Sequence, residues 1–269
     1  MKKPRTPHGS GDEGAQYKSF IDTFNGIAHH RHRYEVFKDF VTMAAISLHN
    51  AVRKSVHLED EYLATAKRYT REELGAFSTL LGMLVNLLEP VPQDILGELF
   101  MALNLGNERT GQFFTPNYIS LLMAQINLAA QSNEEKDFVK LCEPACGAGG
   151  MVLAFARCLI DSGKNPAQAM WARCQDIDRL AVLICYTQLS LWNIPAVVIV
   201  GDTLANEERE VFYTPAHYLG FWDVRLIRDS RLRAAELEVE HEAIELLVDG
   251  ADDVHSDNGS AQVQMRWIF

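Results

Sequence analysis

Apolar residues recur every three to four positions through the first hundred residues of the chain. From Tyr17 to Arg53 the recurring set is Phe20, Ile21, Phe24 and Ile27, then Phe37, Phe40, Val41, Ala44, Ile46 and Leu48. From Glu59 to Leu88 it is Leu63, Ala66, Tyr69, Leu74, Phe77, Leu80, Leu81 and Leu84. That spacing predicts amphipathic helices. Pro90 and Pro92 stop the run, since proline breaks the helical hydrogen-bond ladder. A shorter helix is expected over Gln93–Leu105. Residues 16–108 therefore read as an all-helical domain. Residues 1–15, with Lys2, Lys3, Arg5 and several Gly, Ser and Pro, read as a disordered arm.

The pattern then changes to short apolar runs alternating with helical ones. Asn117–Ala130 is expected to be a helix that buries Ile119, Leu121, Leu122, Ala124 and Ile126. Thr115 suits its N-cap and Pro116 its first turn. Apolar runs at Phe138–Leu141, Met170–Gln175 and Ala196–Val200 read as strands. Gly150–Asp161 and Arg179–Leu191 read as the helices between them. Such alternation signals a parallel sheet with helical crossovers, hence an α/β fold. Beyond it, Phe221–Ile227 is expected as a strand and Arg231–Leu247 as an acidic helix. Asp249–Gln262 reads as disordered. Val263–Phe269 reads as a terminal strand or a docking peptide. Residues 206–269 are thus expected to form a C-terminal extension.

Charge and cysteine content narrow the classes. A formal net charge of −11 argues against a chain that coats nucleic acid over its whole surface. The five cysteines contain no C-x-x-C pair, which argues against a disulfide framework or an all-cysteine zinc site and for a reducing cytoplasm. His29-His30-Arg31-His32-Arg33 reads as a solvated basic patch rather than a metal site, because adjacent helical histidines diverge. No apolar run reaches the ~18 residues that would span a bilayer, so no membrane association is expected.

The chemistry concentrates at strand ends. Lys140 to Met151 reads as a strand, a turn containing Gly147, Gly149 and Gly150, and a helix N-terminus. A dinucleotide G-x-G-x-x-G fingerprint fits poorly, because Val152 stands at the third glycine, and no Walker lysine follows. The remaining form is Glu143-Pro144, two residues, then Gly147-x-Gly149-Gly150. An ordinary turn without a ligand is the plain alternative. Asp176, with Asp178 in reserve, ends the second strand. Asp202 follows the third. A strand-end carboxylate there is placed to accept ribose hydroxyls, although each acid also suits a helix N-cap.

Taken in order, Gly111-Gln112-Phe113-Phe114-Thr115-Pro116, Glu143–Met151, Gln175–Asp178 and Gly201-Asp202-Thr203-Leu204 resemble the N6-adenine DNA methyltransferases. In particular they resemble the methylation subunit of type I restriction-modification systems. The resemblance implies a Rossmann-like domain dependent on S-adenosylmethionine (SAM) over residues 109–205, with a partial parallel sheet, preceded by the helical domain. It implies DNA as substrate and a protein partner or a second copy of the chain. By resemblance, Phe113, Thr115 and Pro116 line the SAM pocket. Glu143, beside Pro144, meets the methionine amino group. Gly147 and Gly149 let the backbone approach the cofactor. Asp176 holds the ribose and Asp202 the adenine amino group. No metal is implied.

Three departures stand out. Glu143 replaces the usual Asp and Ala148 the usual Ser. The Asn/Asp-Pro-Pro-aromatic tetrapeptide that holds the target amine is absent, for the chain has no Pro-Pro at all. Its only proline after Asp202 is Pro215, in Tyr213-Thr214-Pro215. Catalytic residues are therefore unassigned. The alternative expectation is a catalytically inactive pseudo-methyltransferase that binds SAM and serves as a regulatory or assembly subunit.

Overall fold

The computed structural model describes residues 11–89, 91–103, 115, 117–130 and 137–234. The chain divides into two compact units, Met1–Trp222 and Asp223–Phe269.

The first unit begins with α1 (Gly11–Asn25), whose start lies inside the stretch expected to be a disordered arm. α2 (Arg33–Val52) follows a turn over residues 26–32, with His32 as its N-cap. The basic patch in that turn is used locally. The Arg33 guanidinium donates to the carbonyls of Phe24, Ala28 and Arg31. Arg31 donates to the Arg68 carbonyl and lies over the Tyr69 ring. The helical stretch expected over Glu59–Leu88 is two helices, α3 (Val56–Ala66) and α4 (Arg71–Leu88). Thr70 ends the break between them with a capping box. Its hydroxyl accepts from the Glu73 amide, and the Glu73 carboxylate accepts from the Thr70 amide. Phe20, Phe24, Phe37, Phe40 and Phe77 interlock edge-to-face and tilted at the centre of this layer.

α5 (Ile95–Ala102) is capped by Asp94. α6 (Asn117–Ala130) has the expected bounds but not the expected burial. Ala124 is buried and Leu121 half-buried, whereas Ile119, Leu122 and Ile126 are exposed. The helix packs through its Ser120–Ala124 side, and the heavier aliphatic residues occupy the other face.

β1 (Val139–Glu143), α7 (Gly150–Asp161), α8 (Pro166–Ala169), β2 (Met170–Asp176), α9 (Arg179–Leu191) and β3 (Ala196–Val200) form the alternating part. β1–β2 and β2–β3 pair in parallel. β4 (Glu210–Tyr213), unexpected from the sequence, pairs antiparallel with β3 from Val200↔Glu210 to Val197↔Tyr213. It is short, and its Glu-Val-Phe-Tyr has one clear inward residue, Phe212. The sheet order is β1-β2-β3-β4. α10 (Pro215–Leu219) then leads to Trp222, which is fully buried edge-on against Phe138 at 4.8 Å. The fold is α/β, with a mostly parallel four-stranded sheet behind a helical layer.

Helices and sheet share one apolar core in this unit. α9 joins them: Arg179 makes a two-bond ion pair with Glu61 of α3 at 2.8 Å and reaches Glu210 of β4 at 2.8 and 2.9 Å. Residues 206–222, expected to belong to a C-terminal extension, thus contribute a strand and a helix to the sheet unit.

In the second unit residues 223–234 are helical. The expected strand over Phe221–Ile227 does not form. Alternation fails at Leu226-Ile227, and the i,i+4 pair Asp229–Arg233 at 3.2 Å favours a helix. The acidic run and the terminal peptide lie outside the described residues. Among the described residues no helix is long and apolar enough to cross a membrane.

Candidate functional site

The parallel strands deliver their carboxyl ends to one edge of the sheet, the edge at which α/β sheets form ligand crevices. Glu143 is the last residue of β1 and Asp176 the last of β2. Asp202 lies two residues past β3. The sheet therefore brings together the three acids the sequence singled out.

Asp176 is held rigidly. Its Oδ2 accepts the Gly147 amide at 2.9 Å, and its Oδ1 accepts the Asp178 amide at 2.9 Å. Each oxygen keeps a further lone pair, so the carboxylate is oriented and still able to accept. Asp178 is the N-cap of α9, its Oδ1 accepting from the Leu180 amide at 2.7 Å. Of the two acids, Asp178 takes the capping role and Asp176 is left facing the glycine turn. Asp202 closes its own turn, with Oδ1 accepting from the Leu204 and Ala205 amides at 2.9 and 3.2 Å. Glu143 is half-buried. Burial pushes its carboxyl above the usual range, and Cys174 and Asp176 add to the rise, against a long bond from the Ala145 amide.

The strand-end loops are tied to one another. The Thr203 hydroxyl donates to the Pro144 carbonyl at 2.7 Å, the Cys146 amide to Gln175 O, and the Gly201 amide to Asp176 O. Gly147 and Gly149 both have positive φ, 51° and 90°. At Gly149 a further constraint comes from beneath. A Cβ there would meet the Cys185 sulfur at 2.8 Å, so the missing side chain makes room for α9. Cys146, Cys174 and Cys185 form a buried thiol cluster under the turn. Hydrogen bonds to Cys146 and Cys174, with burial, push the Cys185 thiol well above its ordinary value.

Two residues that fix the turn escaped the sequence reading. Gln188, fully buried on α9, donates to the Ala148 carbonyl at 2.9 Å and to Asp94 Oδ1 at 2.8 Å, and accepts the Leu96 amide at 2.9 Å. Asp94 Oδ1 also accepts the Gly97 amide at 2.8 Å. One side chain thus fastens the glycine turn to α5 and α9. The available signal is a glutamine inside the largely apolar run Leu180–Leu191, between Thr187 and Ser190. Thr115 is exposed; Phe113 and Pro116 lie outside the described residues. Among the described residues no group of three His, Cys, Asp or Glu is arranged to hold a metal ion.

Tyr213-Thr214-Pro215, the only proline element after Asp202, lies at the opposite end of the sheet. Tyr213 pairs with Val197, near the start of β3, whereas Asp202 follows its end. Thr214 is fully buried, donating to Ile194 O at 2.8 Å and accepting the Ala196 amide at 2.9 Å. This element does not stand beside the strand-end acids.

None of the curated proteins compared matches the chain. Among solved structures, a Listeria monocytogenes protein assigned to the class I S-adenosylmethionine-dependent methyltransferases is 14% identical, with a TM-score of 0.44 over 72% of this chain and 55% of that one. The type I restriction-modification methyltransferase subunit of Streptococcus thermophilus is 13% identical, with a TM-score of 0.34 over 68% of this chain and 56% of that one. The chain spans about half the length of both. Residues 93–243 match the family of N-6 DNA methylases, a span longer than half of the 269-residue chain. The chain belongs to the N-6 DNA methylase family.

Proposed function

We propose that this member of the family binds SAM at the Glu143–Gly150 turn, Asp176 and Asp202, and does not by itself complete methyl transfer to DNA adenine. The observation that carries the reading is the geometry of Asp176, pinned by the Gly147 and Asp178 amides with acceptor capacity left over. The acceptor set fits the ligand. SAM presents a ribose diol, an adenine amino group and a cationic methionine end, and carboxylates suit all three. Asp176 would hold the ribose, Asp202 the adenine amine and Glu143 the ammonium. Phe113, Thr115 and Pro116 would line the pocket. The chemistry SAM supplies is an electrophilic methyl group.

The acceptor side supports the second half of the reading. Adenine N6 is a poor nucleophile because its lone pair is delocalised. Side-chain and carbonyl acceptors and a stacking aromatic would be needed to hold a flipped base. The sequence has no Pro-Pro element, and Tyr213-Thr214-Pro215 is at the far end of the sheet.

Two observations favour a second reading, in which a partner polypeptide completes the enzyme. Among the described residues β1 pairs only with β2, and α6 exposes Tyr118, Ile119, Leu122, Met123 and Ile126 along one face. A patch of that kind marks an interaction surface.

Calorimetric titration with SAM tests the first claim. Binding is expected, and Asp176→Ala should weaken it by about tenfold or more, the worth of charge-assisted hydrogen bonds. An unchanged dissociation constant in a folded variant removes Asp176 from the site. Methyl transfer to unmethylated DNA by the chain alone would overturn the inactive reading. Transfer only with an added partner would establish the second.

A further inference from the structure

A second concave site lies along the outer side of β4, away from the glycine turn. It is a cleft of about 450 Å³ between the C-terminal end of α2, the start of α3, and the β4–α10 corner. Its volume falls in the range of small-molecule sites. Arg53, Lys54 and His57 line one side and Tyr213 and Tyr218 the other. Arg53, Lys54 and His57 are exposed, and the two tyrosines are half-buried. Among the described residues the only carboxylate in the lining is Glu210, which is neutralised by Arg179 at 2.8 and 2.9 Å. Arg53 and Lys54 bring two cations to this face, with His57 three residues further on.

The aromatic side is a cluster. Tyr213 lies 4.5 Å from His217 and 6.0 Å from Tyr218, centroid to centroid. His217 is fixed by the Trp171 indole N–H at 3.1 Å. Arg53 donates to the Tyr218 hydroxyl at 3.1 Å and lies over that ring at 6.0 Å. Between the two sides runs β4, which among the described residues pairs only with β3. An edge strand offers backbone donors and acceptors outward. The cleft thus combines cations, aromatic faces and backbone polar groups. Phosphate pairs with the first, a nucleobase stacks on the second, and base edges bond to the third.

We propose that this cleft binds a nucleotide unit, its phosphate between Arg53 and Lys54 and its base against Tyr213 and Tyr218. The unit is either a free mononucleotide or one residue of single-stranded DNA. The site shares no residue with the strand-end crevice, so its test is independent of SAM binding.

The test is calorimetric titration of the full chain with adenosine monophosphate, adenosine, inorganic phosphate and a short single-stranded oligodeoxyadenylate. The monophosphate should bind, with adenosine and phosphate each weaker by about tenfold, because each lacks one half of the recognition. Lys54→Gln and Tyr213→Leu should each weaken monophosphate binding by a similar factor and leave SAM binding unchanged. Lys54 is exposed, so its variant folds even where Tyr213→Leu does not. Tighter binding of the oligonucleotide, with a steep fall as salt rises, assigns the site to a DNA strand. Equal or tighter binding of the monophosphate assigns it to a free nucleotide. Absence of binding by both nucleotide probes overturns the proposal. So does binding that is insensitive to Lys54→Gln but lost with Asp176→Ala, which would place the nucleotide in the strand-end crevice.

Discussion

Asp94 is wholly buried, and burial raises its carboxyl above the ordinary 3.8 despite bonds from Gln188 and Gly97. The folded state therefore binds this proton more tightly than the unfolded chain. Stability contributed at this position is lost as pH rises from about 3.8 through the raised folded value. Asp94→Asn keeps an acceptor for the Gly97 and Gln188 N–H groups and removes the titration. The difference in unfolding free energy between variant and parent, followed by urea melts across pH, should grow in the variant's favour over that window. A flat difference would show that Asp94 titrates normally. At this scale the sequence was informative where chemistry follows the strand ends. Glu143, Asp176 and Asp202 were recognisable because a strand followed by a turn fixes where the next residue points. Gln188, Asp94 and the constraint of Cys185 on Gly149 were not, because each depends on which helix lies beneath the turn.

Whole elements were legible where apolar periodicity was long and uninterrupted. α7, α9 and β3 have the bounds expected of them. The break between α3 and α4 was hidden, since Leu63, Ala66 and Tyr69 keep the spacing up to it and Leu74, Phe77 and Leu80 resume it just beyond. The signal that marks it is Thr70-x-x-Glu73, a local polar motif set inside an apolar pattern. Thr70→Ala should lower stability by about 1 kcal/mol, the usual worth of a helix cap, seen as a lower urea midpoint with an unchanged slope. An unchanged midpoint would mean that the helix start is set by packing alone. The face of α6 was misread for a related reason. Periodicity identifies an apolar stripe without saying whether this chain covers it. The strand expected at Phe221–Ile227 is the reverse case, where a few apolar residues outweighed the charge spacing of a helix.

Across the first unit, the single core of helices and sheet means that the helical layer is not an accessory. Arg179 and Gln188, both on α9, reach α3, α5, β4 and the glycine turn. Sequence periodicity sees none of these contacts, because they join residues 31 to 118 positions apart. The open side of β1 has a consequence of another kind, visible in time rather than in space. Among the described residues β1 has one neighbour, so alternate amides along Val139–Glu143 point toward β2 and the others away from it. Hydrogen–deuterium exchange should therefore show a two-residue alternation in β1, slow then fast. β2, flanked on both sides, should be slow throughout. Uniform protection along β1 in the isolated chain would contradict the open edge. Loss of the alternation on adding a second polypeptide would report, residue by residue, that a strand had joined the sheet.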